Sequence, residues 1–311
     1  MSMPKLFEGR LSVPVIASPL FIISQPELVI AECRAGVVGS FPSLNARPSG
    51  TFEDWLKRLR SELTDQDAPF AVNLIVHRTN ERLEEDLALC VKYQVPMVIT
   101  SLGARVDLNE AIHSYGGLVF HDVIDNFFAR KAIEKGADGL VAVAAGAGGH
   151  AGTISPFALV QEIRTWFDGP LALSGSISTG DAVAAARALG ADFGYIGSAF
   201  IATEEANAAP GYKQMIVDSA ADDIVYSNLF TGVHGNYLKP SILAAGLDPD
   251  ALAVSDPSKM DFGALTEGTK AWRDIWGCGQ GIGAVEKVVP AAELIARLGR
   301  EYRAALARLA A

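Results

Sequence analysis

The chain is organised as eight short apolar runs, most of them followed by a stretch with helical periodicity. The runs lie at residues 13–17, 36–40, 70–75, 97–101, 117–121, 139–144, 170–174 and 193–197. The clearest amphipathic stretches between them lie at residues 52–63, 82–93, 126–135, 156–167 and 181–189. Runs that are apolar throughout are typical of parallel strands covered on both faces. Eight β-then-α units predict an α/β fold, a (β/α)8 TIM barrel.

A doubly wound sheet is the competing fold for alternating strands and helices. Such a sheet normally opens with a GxGxxG turn after its first strand. Here the first strand runs into residues 17–20, Ala-Ser-Pro-Leu, which carry no glycine. The barrel is therefore the favoured interpretation.

The regular alternation stops between about residues 204 and 285. This segment contains helical pieces, several turns and the aromatic-glycine stretch 272–283. We interpret it as a small helical cap subdomain, residues 205–285, that is inserted before the last helix and lies over the barrel mouth. Residues 1–204 plus 286–311 then form the barrel domain, with the final helix closing its wall. Within the cap, the i, i+4 spacing of Trp272 and Trp276 favours a packed helix face.

The acidic composition excludes some partners. Lys and Arg number 26 against 36 Asp and Glu, a net charge of −10, so no basic excess is available to bind nucleic acid. No apolar run reaches the roughly 18–20 residues that span a bilayer. The first ten residues lack the apolar segment of a secretory signal. We expect a cytoplasmic protein without membrane contact.

Metal and nucleophile chemistry have no sequence signature here. The three cysteines are far apart and lack ligand spacing, which favours reduced structural thiols over bridges or zinc ligands. No pair of histidines has the HExxH spacing, and no serine lies in a GxSxG elbow. We expect no metal site.

The most distinctive local motif is residues 146–152, Gly-Ala-Gly-Gly-His-Ala-Gly, directly after the sixth run. Glycines let a backbone approach a flat ligand, and His150 adds a proton-transfer group to the loop. A glycine-rich turn with an incidental histidine is the alternative. His121, at the end of the fifth run, and His234, in a glycine-rich loop of the cap, are further candidates for substrate contact.

Two small-residue loops follow the seventh and eighth runs, where barrels commonly hold phosphate. They are residues 173–177, Leu-Ser-Gly-Ser-Ile, and residues 196–200, Ile-Gly-Ser-Ala-Phe. Each offers a glycine N–H and a serine hydroxyl close to a helix N-terminus, which suits an anion. These loops predict a phosphate site, although plain tight turns would have a similar sequence.

Taken in order, these motifs resemble those of the nitronate monooxygenase family, formerly called 2-nitropropane dioxygenases, among the FMN-dependent TIM barrels. The similarity spans nearly the whole chain. The matching elements are residues 14–19, 72–74, 148–152, 174–177, 190–192, 197–200 and 279–280.

The resemblance implies an FMN cofactor and a role for each matching position. His150 corresponds to the family's histidine over the flavin, a catalytic base or substrate anchor. Asn73 would hydrogen-bond near the isoalloxazine ring. The other implied cofactor-binding residues are Ala17, Ser18, Gly149, Gly175, Ser176, Gly197, Ser198 and Gln280.

The resemblance further implies oxidation of alkyl nitronates or small nitroalkanes with O2. An NAD(P)H-dependent reductase of quinones or enoyl thioesters is the first alternative, and a barrel without redox activity is the second. Many relatives carry a glutamate close before the Gly-His pair, whereas residues 144–149 here contain no carboxylate. This departure leaves the substrate open. A homodimer is compatible with an exposed cap or helix.

Overall fold

The computed structural model describes residues 4–48, 50–230, 232–254 and 275–311. Eight parallel strands form one sheet, and each coincides with one of the eight predicted runs. They are β1 (Val15–Ala17), β2 (Gly39–Pro42), β3 (Phe70–Ile75), β4 (Met97–Ser101), β5 (Leu118–Val123), β6 (Gly139–Val143), β8 (Leu171–Ser174) and β9 (Phe193–Ile196). Their order is β1-β9-β8-β6-β5-β4-β3-β2. The predicted barrel is confirmed.

The sheet closes between its first and last strands. The backbone N–H of Ala17 donates to the carbonyl of Val38 at 2.8 Å, and Val38 N–H donates to Val15 at 3.1 Å. These bonds continue the parallel pattern from β1 towards β2 through the bridge of Ile16 with Val38. Closure removes the exposed sheet edge that an open sheet would have.

Helices connect the strands and cover the outside of the barrel. They are α1 (Pro26–Arg34), α2 (Thr51–Glu62), α3 (Leu83–Lys92), α4 (Val106–His113), α5 (Asn126–Glu134), α6 (Pro156–Arg164), α7 (Gly180–Leu189), α8 (Ser198–Ile201), α9 (Pro210–Val217), α10 (Lys239–Ala244) and α11 (Ala291–Ala310). Helix α7 begins where the Thr179 side chain accepts the N–H of Ala182, and it ends at Gly190 with φ of 113°. Helix α11 packs against α7 and α1 and so completes the wall, as predicted.

The barrel interior is closed at the end where the strands begin. Phe7, in a short 3-10 helix before β1, packs edge-on against Phe193 at 5.0 Å and against Phe120 at 6.4 Å between ring centroids. All three rings belong to one buried cluster inside the barrel. The open end is therefore the end where the strands finish, which is where barrel enzymes bind their ligands.

The segment from residue 205 onwards contains the predicted helical pieces and also strands that the sequence did not predict. Strands β10 (Ile224–Ser227) and β11 (Gly235–Leu238) pair antiparallel. β11 then pairs with β7 (Gly149–His150), which puts Gly235 opposite His150. The segment is thus hydrogen-bonded directly to the glycine-rich motif. Its division from the barrel as a separate subdomain remains our proposal, and Trp272 lies outside the described residues.

The three cysteines are free thiols, as the sequence predicted. Cys33, Cys90 and Cys278 are buried and unbridged, and burial raises the pKa of each thiol. Within the described ranges, no helix is long and apolar enough to cross a membrane.

Candidate active site

A cavity of about 1010 Å³ opens at the end of the barrel where the strands finish. Its wall is built from strand ends, from the loops after them and from residues 232–234, 275–277, 279 and 281. Most of the predicted site residues meet in this wall, namely Ser18, Asn73, His121, Gly149, His150, Gly175, Ser176, Gly197, Ser198 and His234.

Two predicted cofactor residues do not line the cavity. Ala17 is fully buried in the layer between the strands and the outer helices. Gln280 has an exposed side chain in the 3-10 helix Gln280–Ala284, and its backbone N–H donates to the carbonyl of Gly146 at 2.9 Å. Gln280 therefore contacts the glycine-rich motif through its main chain.

Glycines allow the cavity loops to pack against one another without side chains between them. Gly146 accepts hydrogen bonds on its carbonyl from Ser176 N–H at 3.3 Å and from Gln280 N–H at 2.9 Å. A Cβ added to Gly146 would lie 2.2 Å from the Ser176 hydroxyl oxygen. The Ser198 hydroxyl accepts the N–H of Gly279 at 2.8 Å. Three loops that are far apart in sequence are thus held in mutual contact.

The two predicted phosphate loops form one concave part of the wall. Gly175 has φ of 132°, and a Cβ there would lie 2.7 Å from the carbonyl oxygen of Ala145. A Cβ on Gly197 would lie 2.6 Å from the hydroxyl of Ser18. Only glycine allows these loops to pack so closely against their neighbours.

Ser178 adds a hydroxyl to this concave part that the sequence analysis missed. It lies in the cavity wall and is 3% exposed, and its Oγ is buried without a hydrogen-bond partner among the described residues. A buried hydroxyl without a partner costs stability unless a ligand or water satisfies it. The motif Ser-Gly-Ser-Ile-Ser was visible in the sequence, but nothing in it showed which hydroxyls face the cavity.

His150 lies on β7, where pairing with β11 holds the backbone of the loop. Its side chain is half-buried and lines the cavity. Burial lowers the pKa of His150 to about 4, so the imidazole is neutral at pH 7. A neutral imidazole has one nitrogen that donates and one that accepts a hydrogen bond.

His234 lies at the rim of the cavity, stacked on Tyr226 with ring centroids 5.0 Å apart. The carbonyl of His234 accepts the N–H of Ala151 at 3.3 Å, and the Tyr226 hydroxyl donates to the carbonyl of Ala151 at 3.1 Å. This aromatic pair therefore supports the chain directly after His150.

His121 is the more buried of the two further histidines. It is 6% exposed, and its Nδ1 lies 2.6 Å from the hydroxyl oxygen of Thr100. Burial lowers the pKa of His121 to about 4, and the charge of Lys135 acts in the same direction. His121 is thus neutral at pH 7 and tied to the neighbouring strand.

A chain of hydrogen bonds crosses three barrel strands in the cavity wall. Asn73 on β3 donates through Nδ2 to Ser101 Oγ on β4 at 2.7 Å, and Ser101 Oγ donates to Asp122 Oδ2 on β5 at 2.5 Å. The second N–H of the Asn73 amide donates to the carbonyl of Ile99 at 3.0 Å. Both amide hydrogens are used, which leaves Oδ1 as the polar atom that Asn73 can offer to a ligand.

Asp122 is a carboxylate that the sequence analysis did not select. Burial raises its pKa to about 6, although the hydrogen bond from Ser101 opposes this shift. Its Oδ1 is buried without a partner among the described residues. Its position beside His121 at a strand end was the available signal, because strand ends meet at the mouth of a barrel.

In the described part of the chain, no group of three or more histidine, cysteine, aspartate or glutamate side chains could hold a metal ion.

The fold and the cavity define an enzyme class, a (β/α)8 barrel that acts on a small molecule at the end where its strands finish. The family model described as nitronate monooxygenase matches residues 8–301. The chain therefore belongs to the nitronate monooxygenase family, as its motifs predicted, and it is an oxidoreductase.

Individual relatives are similar to this chain over nearly its full length. A nitronate monooxygenase of Paraburkholderia phytofirmans is 27% identical, across 95% of this chain and 94% of that protein. FabK of Thermotoga maritima superposes with a TM-score of 0.81 at 25% identity, covering 98% of this chain and 96% of that chain. A nitroalkane oxidase of Streptomyces ansochromogenes superposes with a TM-score of 0.80 at 24% identity, covering 98% of each chain, and so shares the fold.

Proposed function

We propose that the chain is an FMN-dependent enzyme that oxidises alkyl nitronates, or small nitroalkanes, with O2. The observation that carries this proposal is the large cavity that has glycine-serine loops in its wall together with neutral His150. Membership of the nitronate monooxygenase family supports the substrate class. The relative from Paraburkholderia phytofirmans, which carries that name, supports it as well.

The residues in the wall fit FMN. Without a Cβ at Gly175 and Gly197, the loops pack tightly and their backbone N–H groups would hold the phosphate, while the unpartnered Ser178 hydroxyl suits a phosphate oxygen. Asn73 Oδ1 would accept from a ring N–H. Gly149 has φ of 64° and nothing within 4 Å of an added Cβ, so the ring has room beside it. The chemistry that bound FMN supplies is the transfer of electrons from the substrate to O2.

His150 would handle the proton of the reaction. With a neutral nitroalkane, the accepting ring nitrogen would take the proton from the carbon next to the nitro group. With a nitronate supplied directly, no proton has to leave, and the ring N–H would hold a nitronate oxygen instead. The low pKa means that protonated His150 is scarce in the free enzyme at pH 7.

Apolar side chains would accommodate the alkyl part of the substrate and exclude water. The cavity wall includes Leu20, Ile22, Leu102, Ile124 and Phe128. Removing water from such a wall favours small alkyl groups by about 0.8 kcal/mol for each buried methylene. An apolar wall also strengthens the hydrogen bonds that His150 makes.

We expect His150→Asn to retain FMN and to lower kcat/KM for a neutral nitroalkane about 10²–10⁴-fold, the usual contribution of a general base. The loss with the corresponding nitronate is expected to be smaller, since that substrate needs no proton abstraction. Oxygen consumption with both substrates measures this difference. His113→Asn is the matched control, because His113 lies on α4 outside the cavity and pairs with Asp138.

Equal activity of the His150→Asn and His113→Asn variants on the neutral nitroalkane would show that His150 does not transfer the proton. Loss of FMN from the His150 variant would instead make the residue a cofactor ligand. Flavin absorbance of the purified variants separates these outcomes.

A further inference from the structure

The series of hydrogen bonds from Asn73 through Ser101 to Asp122 ends on an oxygen atom without a partner among the described residues. Ser101 has one hydroxyl hydrogen, and it points to Asp122 Oδ2. The other oxygen, Oδ1, is buried and unpartnered among the described residues, in a side chain that lines the cavity. A buried carboxylate oxygen needs either a donor from a ligand or a proton of its own.

Building on the proposed function, we propose that Asp122 is an anion-binding residue of this site that acts in its protonated form. Its carboxyl carries a proton on Oδ1 when an anionic substrate binds, and that O–H donates a hydrogen bond to the anion. No covalent bond forms or breaks in this step, and the proton stays on Asp122. The ionised carboxylate excludes the same anion.

The side chains around Asp122 are uncharged, so a proton is the simplest way to neutralise its carboxylate. Ser101 on β4 and Tyr195 on β9 are neutral, and burial raises the pKa of Tyr195 well above its usual value. The neighbouring His121 and, across the cavity, His150 are neutral at pH 7, because burial lowers both pKa values to about 4. None of these side chains provides a positive charge.

Three cations line the cavity wall, Arg47 and two lysines, and each is engaged elsewhere. Arg47 Nε donates to the carbonyl of Leu44 at 2.9 Å. Lys135 Nζ, just after α5, donates to the carbonyl of Ala104 at 2.7 Å. Lys131 Nζ, on α5, lies 4.1 Å from the centre of the Phe127 ring. Arg47 and both lysines are exposed, so water screens their charges. Two negative charges within the cavity would therefore repel each other with little compensation.

The pH dependence follows from this repulsion. Burial raises the pKa of Asp122 to about 6, so the proton-bearing form dominates below pH 6 and falls tenfold for each unit well above it. The affinity for a nitronate anion should weaken by the same factor. We expect KM for an alkyl nitronate to rise about tenfold per unit between pH 7 and 9, while kcat changes little.

Asp122→Asn tests the role of the proton directly. The amide keeps an acceptor for Ser101 and a permanent N–H donor for the anion, so KM should become independent of pH over the same range. Asp168→Asn is the matched control, because Asp168 is exposed and does not line the cavity. This variant should show the pH profile of the wild type. A steep pH dependence of KM that persists in Asp122→Asn would overturn the proposal.

Nitrate binding provides a test that does not depend on turnover. It is a planar anion with its charge spread over oxygens, like the nitronate head group. Calorimetric titration of the FMN-loaded wild type with nitrate, at pH 7.5 in two buffers of different ionisation enthalpy, should show uptake of about one proton per anion. Asp122→Asn should bind nitrate with no uptake.

Each outcome of the nitrate titration decides the question. Nitrate binding without proton uptake, or no nitrate binding anywhere from pH 5.5 to 8.5, would overturn the role of Asp122. Proton-linked nitrate binding in an enzyme that does not oxidise nitronates would support Asp122 and contradict the proposed function. The two proposals therefore fail separately.

Discussion

At the scale of single residues, the cavity wall at residues 175–178 depends on close packing that only glycine allows. Gly175 combines φ of 132° with a carbonyl 2.7 Å from the position of a Cβ. Gly116 also has positive φ, 87°, but nothing lies within 4 Å of a Cβ there, and it is not part of the cavity wall. Alanine variants of these two glycines therefore distinguish the effect of backbone strain from the effect of a steric clash in the cavity wall.

We expect Gly175→Ala to weaken FMN binding at least tenfold, because the new methyl group displaces the loop that would hold the phosphate. Gly116→Ala should cost a similar 1–2 kcal/mol of backbone strain and leave the FMN affinity unchanged. Fluorescence titration of the apoproteins with FMN measures both constants. Equal FMN affinity in the two variants would contradict a phosphate site at residues 175–178.

Individual site residues were predictable where their chemistry is tied to a motif. His150 and the glycines of the two loops could be selected because they lie in motifs that follow predicted strands and match those of the family. Asp122 and Ser178 could not, because many aspartates and serines are present and only the folded strand ends show which of them face the cavity. Ala17 was selected by similarity, yet its side chain points into the outer layer.

At the scale of elements, strand β11 holds the loop that carries His150 in place. Besides its pairing with β7, its residue Asn236 donates through Nδ2 to the carbonyl of Ala147 at 2.6 Å and accepts the N–H of Cys278 at 3.0 Å. One strand thus connects the loop before His150 with the segment that reaches Gln280. The position of His150 is therefore determined by residues more than eighty positions later in the chain.

Asn236→Ala should reduce both stability and activity. Leaving the buried carbonyl of Ala147 without its donor costs about 1–3 kcal/mol of unfolding free energy, and a displaced loop lowers kcat/KM. Asn109→Ala is matched, since Asn109 is equally buried and donates through Nδ2 to the carbonyl of Lys135 at 2.9 Å. It should lose similar stability and retain kcat/KM. Thermal denaturation together with steady-state kinetics checks this, and equal activity losses would contradict a specific role for β11.

Elements that bury both faces could be predicted, and those that depend on distant partners could not. The eight barrel strands are apolar throughout, so their sequences differ clearly from the amphipathic helices between them. Strands β7, β10 and β11 have two to four residues each and contain glycine, serine and asparagine, which are typical of loops. They become strands only because the barrel brings residues 149–150 alongside residues 235–236.

At the scale of the whole molecule, the closed barrel explains why one cavity collects residues from the entire chain. Ser18 follows β1, Ser198 follows β9, and Gly279 lies only a dozen residues before the last helix, yet all three line the cavity. Parallel strands all finish at the same end, so every strand contributes its following loop to one site. The barrel class and the family were therefore accessible from the sequence, whereas the depth and lining of the cavity required the structure.

The central claim is that this cavity binds FMN and passes electrons to it from a nitronate. The most direct measurement is the visible spectrum of the FMN-loaded protein under anaerobic conditions, before and after addition of a short alkyl nitronate, without NADH or NADPH. We predict loss of the oxidised-flavin bands, followed by their return when O2 is admitted. Bands that remain oxidised with nitronate but bleach with NADH or NADPH would contradict the claim and identify a nicotinamide-dependent reductase.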